Sequence, residues 1–441
     1  MVNFVQLRDA RPHAWTVVAE DVLAAAKHCE RMKDDIHDNG TRPLARNWSG
    51  SAYEMASKTL TDCASETEVL AILARSAVDP LDTLAHAVSI AQEELHTGIG
   101  IATRAGLTVN QASGQVELPS VMPPDPNEEL LIRDAQKTSQ QVINDAIEAA
   151  TQADELCTGA LRRTDRADPA TTRVRAAQGV QNSNEVDALQ SIRDTLPDGL
   201  TPGEVAKWWE ELTPKDKYDL ERACPVELYD LKGVPNSVKA QIDRPGLGYS
   251  SVGTVRYAQK NWANTSLDEY NDNCTNFVSD SLAYGGGMRV KSNSGILLHN
   301  SQKDWDDGTD GANNIFPTLA TRLPFGIGNH MAGVYHTPTW GAAQNNHDFF
   351  MDNGGEEVPV ESARPGDIMY FQSTQAVPSE GISAGNIHHA AIVTGVLPDG
   401  DVLYTQHTDS ATDYSLSERM PEVTQNEGGQ IVKIVKPRVT W

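Results

Sequence analysis

The stretch Asn271-Asp272-Asn273-Cys274-Thr275-Asn276-Phe277-Val278-Ser279-Asp280-Ser281-Leu282-Ala283-Tyr284-Gly285-Gly286-Gly287 decides how the rest of the chain is read. Asp272 or Asn273 is placed to cap a helix, and the glycine run stops it. Cys274, Phe277, Val278, Ser281 and Leu282 recur at helical spacing, so one side docks on a core and Cys274 falls in the first turn. There the positive end of the helix dipole favours a thiolate, and a nearby imidazolium favours it further. Capping alone needs no cysteine. Cys274 therefore reads as a candidate nucleophile.

A base has to come from elsewhere. Gly366-Asp367 precedes the apolar run Ile368-Met369-Tyr370-Phe371. His388-His389-Ala390-Ala391-Ile392-Val393-Thr394, the turn Pro398-Asp399-Gly400 and the run Val402–Thr408 then read as a β-hairpin, with imidazoles near the start of one strand and the end of its partner. Alternation turns His388 and His389 to opposite faces, and His389, directly before two alanines, is the preferred base. The orienting third group depends on the turn. A three-residue loop pairs Leu397 with Asp401 and puts His407 on the face of His389. A two- or four-residue loop brings Gln406 there instead, because a one-residue slip inverts every side chain. His407 is the expectation and Gln406 the alternative. The backbone N–H of Cys274 would meet the oxyanion, with Tyr270 or Asn273 as candidates for a second donor. Cysteine at a helix start, histidine on a strand and a polar residue on the next strand form the order of a papain-like triad. Such chemistry needs no metal or organic cofactor. A zinc site of His388, His389 and His407 would lack both the HExxH signature and paired Cys-x-x-Cys.

Outward from this block, the texture from about Pro245 to Trp441 is glycine, tyrosine and β-branched residues, as expected of an α+β domain with an antiparallel sheet over 246–441. Before it, residues 164–245 read as a polar linker followed by a small two-helix element. Trp208-Trp209-Glu210-Glu211-Leu212-Thr213-Pro214 supplies its apolar anchor and a capping threonine with a first-turn proline. Residues 1–163 read as an all-α hairpin or bundle. Trp15, Val18, Val22, Ala25, Cys29, Met32 and Ile36 form one seam. Further helices are expected from about Ser51, from Asp79-Pro80 and over about Asn127–Arg163, with a short hairpin near Leu107–Leu118. Folding the first two helices about residue 46 would set Cys29 level with Cys63, as a disulfide or as two buried thiols.

The chain has 441 residues and a net charge of -25, which argues against nucleic acid or an anionic membrane as partner. No run is apolar enough to span a bilayer, and the first residues lack the basic start and apolar core of a cleavable secretory signal. A cytoplasmic location is the plain expectation; export that reads folded helices is the other.

Two resemblances sharpen this. The helical hairpin with Trp48-Ser49-Gly50 at its bend resembles the WXG-type proteins exported by type VII systems of actinobacteria and other Gram-positive bacteria. It implies a partner chain or secretion machinery and delivery to the cell envelope. The usual Tyr-x-x-x-acid signal after the hairpin is absent, since Ser57 follows Tyr53 at that spacing. The element from Trp208 to Pro235 is similar to one found between such helices and hydrolase domains in actinobacterial proteins. The block Asn273–Gly286, then Trp340, Pro365-Gly366-Asp367-Ile368, His389–Val393 and Gln406-His407-Thr408, resembles the putative amidase family over about residues 250–425. That family is related to NlpC-type and CHAP hydrolases. Asn273 stands where its motif has Asp, and Asp280 where it has Gln. The resemblance implies a cysteine amidase or peptidase acting on a bacterial cell-wall (peptidoglycan) stem peptide. Two rivals keep the fold: a delivered toxin that deamidates or transamidates proteins, and a non-catalytic peptide-binding assembly protein.

Overall fold

The computed structural model describes residues 1–268, 272–292, 302–307, 336–378, 381–408, 410–417, 419–420 and 429–441. They form two units. One comprises Met1–Leu220 with Lys232–Val234, the other Glu221–Leu231 with Pro235–Trp441.

The first unit is helical. Its elements run α1 (Phe4–Asp9), α2 (His13–Asp35), a wider π turn Ile36–Thr41, α3 (Arg42–Asn47), α4 (Ser51–Arg75), α5 (Val78–Arg104), a two-stranded hairpin β1 (Thr108–Val109) and β2 (Val116–Glu117), α6 (Pro126–Arg166), α7 (Val174–Arg193) and α8 (Pro202–Glu211). Leu81, Leu84, Val88 and Leu95 of α5 pack with Ile143, Ala146, Ala150 and Cys157 of α6. Gly98 permits that approach, since a β-carbon there would stand 2.9 Å from Ile143.

Three expectations are corrected here. The helix running from α2 does not turn back at residue 46 but continues, through the π turn, to Asn47. The ion pairs Arg75–Glu30 (2.6 Å) and Lys33–Glu68 (3.4 Å) and the contact of Gly40 with Leu60 set the fold axis near residue 51. Cys29 and Cys63 therefore stand about ten residues, roughly 15 Å, out of register, and both are free thiols. The seam also differs. Ala19 and Ala26 are buried while Val18 and Met32, and Trp48 at the bend, are solvent-exposed. Finally, the stretch read as linker carries α7. It packs through a polar stripe in which Asn184 donates to Ser76 O (2.7 Å) and accepts from Arg163 Nε (2.9 Å), alongside buried Ala177, Leu189 and Ile192. Capping by Thr201 with Glu204 starts α8, whose Trp208 and Trp209 are buried; Thr213 accepts from Asp216 N–H (3.1 Å) and starts α9 (Pro214–Ala223).

The second unit is α+β. Helices α10 (Pro225–Asp230), α11 (Asn236–Asp243), α12 (Ser251–Asn261), α13 (Cys274–Asp280), the one-turn α14 (Pro338–Gly341) and α15 (Ala343–Asp352) accompany a six-stranded antiparallel sheet. Its strands are β3 (Glu356–Val358), β4 (Ile368–Ser373), β5 (Ile387–Val396), β6 (Val402–Gln406), β7 (Ala411–Ser415) and β8 (Gln430–Lys436), in the order β3-β8-β4-β5-β6-β7. Period-2 alternation splits its apolar residues between two cores. Ile368, Tyr370, Ala390 and Ile392 meet Phe277, Val278, Trp340 and Phe350, while Met369, Phe371, Ala391 and Tyr404 line the other side. The Pro-Gly-Asp turn ahead of β4 is a clasp. Buried Asp367 accepts from Arg244 (2.8 Å) and from Arg364 N–H (2.9 Å).

Candidate active site

Helix α13 is buried on every side, not on one face as its apolar spacing implied. Ser279 is satisfied from three sides: its Oγ donates to Trp340 O (2.9 Å) and accepts from Trp305 Nε1 (3.1 Å) and Asn346 Nδ2 (3.2 Å). After Asp280 the helix widens through Ser281–Gly285 and stops at the glycines. Here it meets α12 so closely that a β-carbon on Gly253 would stand 2.3 Å from Gly285 O. That contact holds the far end of the helix while its first turn is presented to the sheet.

The ladder between β5 and β6 ends at Ile392 and Thr405. Beyond it, the backbone of Ala390, whose Cα partner in β4 is Tyr370, hydrogen-bonds the sulfur of Cys274. Burial pushes that thiol up, but the charge and hydrogen bond of His389, with hydrogen bonds from Thr275 and Ala390, outweigh it and bring Cys274 down to about 7. Cys274 is 6% exposed, yet it opens on a cavity of about 770 Å³. Thr275, Gln344, Asn345, Asn386 and Thr408 line that cavity beside Phe371. Cys157, equally buried, is driven the other way, to about 12, by burial and then by the charge of Asp154.

His389 Nε2 donates to Gln406 Oε1 (2.8 Å), and its ring meets Phe371, its cross-strand partner, edge-on at 5.5 Å. Gln406 in turn donates from Nε2 to Thr408 O (3.1 Å), which fixes the amide oxygen toward the imidazole. His388, a bulge residue, also borders the cavity but hydrogen-bonds Gln430 Oε1 (2.9 Å).

The structure thus brings Cys274, His389 and Gln406 together and excludes His407. That ring stacks on Phe277 at 5.4 Å, donates from Nδ1 to Trp262 O (2.8 Å), and turns Nε2 to Asp268. The reason is a bulge. The turn does pair Leu397 with Asp401, as the three-residue loop requires, and Val396↔Val402 and Gly395↔Leu403 follow. Thr394 is then skipped and the register resumes at Val393↔Tyr404, so every later side chain of β6 changes face relative to β5. Gly395 within the strand was the available signal, because an isolated glycine there marks a bulge. Among the oxyanion candidates, Asn273 is buried at the head of α13, although its side chain does not cap the helix, and Tyr270 lies outside the described residues. Thr275, Thr408 and Ala390 N–H were not singled out from sequence.

Residues 248–432 match the family model described as a putative amidase domain. The match supports a C-terminal amidase-like domain, and with it an enzyme acting on amides. A stretch of 88 residues is 32% identical to the uncharacterized protein YhbB of Bacillus subtilis, covering 18% of this chain and 28% of that protein. The chain thus spans well under half the length of that relative. No solved structure matches the chain.

Proposed function

We propose that the second unit is a papain-like cysteine amidase or peptidase in which Cys274 is the nucleophile, His389 the acid and base, and Gln406 the group that orients His389. One observation carries this reading: His389, hydrogen-bonded to Gln406 Oε1 (2.8 Å), lines the same cavity as Cys274 and lowers that thiol by its charge. With Nε2–H given to the amide oxygen, Nδ1 is the nitrogen left to exchange a proton with sulfur.

The Cys274 thiolate attacks the amide carbon and forms a C–S bond. Backbone N–H of Cys274, in the first turn of α13, is positioned for the developing oxyanion. The His389 imidazolium protonates the amide nitrogen, the C–N bond breaks and the amine departs, leaving a thioester. Water then gives a proton to His389 and attacks the same carbon. The C–S bond breaks, releasing the acid and restoring the thiolate.

The polar lining of the cavity suits a peptide-like substrate, and the amidase resemblance directs the choice to cell-wall stem peptide. The helical unit, with Trp48-Ser49-Gly50 at the turn of α3 into α4, is read as the WXG-type module that delivers the enzyme to the envelope. The test is digestion of purified sacculi by the full chain, with mass analysis of the released muropeptides. New amino termini that vanish with Cys274→Ala are expected. Hydrolysis that survives Cys274→Ala, or that is abolished by chelators, would sink the reading.

A further inference from the structure

Strand β6 runs out through three consecutive residues with three separate partners: Gln406 meets His389, His407 meets Trp262 and Asp268, and Thr408 reaches the head of the nucleophile helix. Thr408 is used twice. Its hydroxyl accepts the backbone N–H of Asn273 (2.9 Å), and its carbonyl accepts Nε2 of Gln406 (3.1 Å). Asn273 immediately precedes Cys274, and its own carbonyl takes the first helical hydrogen bond, from Phe277 N–H (2.9 Å). An N–H at a helix start has no partner within the helix, so what accepts it sets where the helix begins in space. An amide has no preferred end toward an imidazole until its NH₂ is engaged, so what accepts the NH₂ decides which end the ring meets. Thr408 does both.

We propose that Thr408 is a positioning residue that fixes the separation of the Cys274 sulfur from the His389 imidazole, by tying the head of α13 to the residue that orients the ring. This rests on the amidase reading for its purpose, though not for its geometry. Thr408 touches neither reacting atom. Its hydroxyl holds the sulfur side, its carbonyl holds the imidazole side, and fewer than two residues of backbone join them. Losing the hydroxyl leaves the carbonyl in place, so Gln406 keeps its orientation while the helix head is released.

The experiment uses the full chain with Thr408→Val, which keeps the branched shape without the hydroxyl, and Thr408→Ser, which keeps the hydroxyl. The primary readout is the pH profile of Cys274 labelling by iodoacetamide, which needs no substrate; kcat and KM for amide hydrolysis are the second. For Thr408→Val, the labelling midpoint rises by about one pH unit and kcat falls about tenfold to a hundredfold with KM nearly unchanged, while Thr408→Ser stays near wild type. A wild-type profile in Thr408→Val overturns the proposal, as does an equal loss in Thr408→Ser, which would assign the effect to packing. If Thr408→Val fails to fold, Thr408→Ala carries the same prediction. Retained hydrolysis in Cys274→Ala would remove the amidase reading alone, because the labelling profiles would still decide the role of Thr408.

Discussion

At the residue scale, two equally buried cysteines show what sets a thiol. Burial, and then the charge of Asp154, push Cys157 to about 12, whereas at Cys274 the imidazole of His389 outweighs burial and the thiol falls to about 7. Removing the imidazole leaves burial unopposed. His389→Ala therefore moves the labelling midpoint of Cys274 above the ordinary thiol range, and alkylation at pH 7 slows by ~50-fold or more. A midpoint that stays near 7 would show that the ring is not responsible. Wild-type labelling rises as pH climbs through about 7, since the thiolate is the reactive form. Gln406 and His407 are adjacent but separable. Gln406→Ala lowers kcat about tenfold to a hundredfold with little change in melting temperature. His407→Ala costs about 1–3 kcal/mol of stability through its lost hydrogen bonds, with kcat held within a few-fold. Crossed outcomes in unfolding and turnover measurements would restore His407 to the site.

At the scale of elements, the site depends on one close fit in β5. A side chain on Gly395 would stand 3.3 Å from Ala223 O and from Leu403 Cδ1. Gly395→Val therefore destabilises the chain by about 1–3 kcal/mol in denaturant unfolding; a neutral outcome would mean that the strand has room there. The same glycine explains where reading the sequence stopped. The helix of Cys274 and the hairpin were legible, because capping residues, glycines and alternation write them locally, while the length of the turn was left open between three residues and two or four. The bulge at Thr394 was not, since whether a strand skips a residue depends on what its neighbours pack against, and that one skip exchanged His407 for Gln406. Helix α7 was illegible for a related reason. Its buried stripe includes Gln181, Asn184 and Glu185, so a search for apolar periodicity passes over it. By contrast, α4, α5 and α6 were placed to within a few residues by apolar period and by the Asp-Pro punctuation.

At the scale of the whole molecule, acidity and fold meet at Glu94, buried in α5. Burial first, and then the charge of Asp145, raise its carboxyl to about 8. It is therefore neutral in the fold at pH 7 and ionised in the unfolded chain, so the stability it allows is complete below the ordinary carboxylate range and is lost as pH rises toward 8. Glu94→Gln should raise the melting temperature at pH 8 by an amount equivalent to at most ~5 kcal/mol, and change it little at pH 4. Equal shifts at both pH values would contradict this. The topology carries a consequence in time. Sulfur, imidazole and amide come from positions 274, 389 and 406, and β8, late in the chain, is an inner strand of the sheet, seated between β3 and β4. While the chain is being synthesised, Cys274 emerges before the strands that carry His389 and Gln406, so its sulfur stays an ordinary thiol until that imidazole packs beside it.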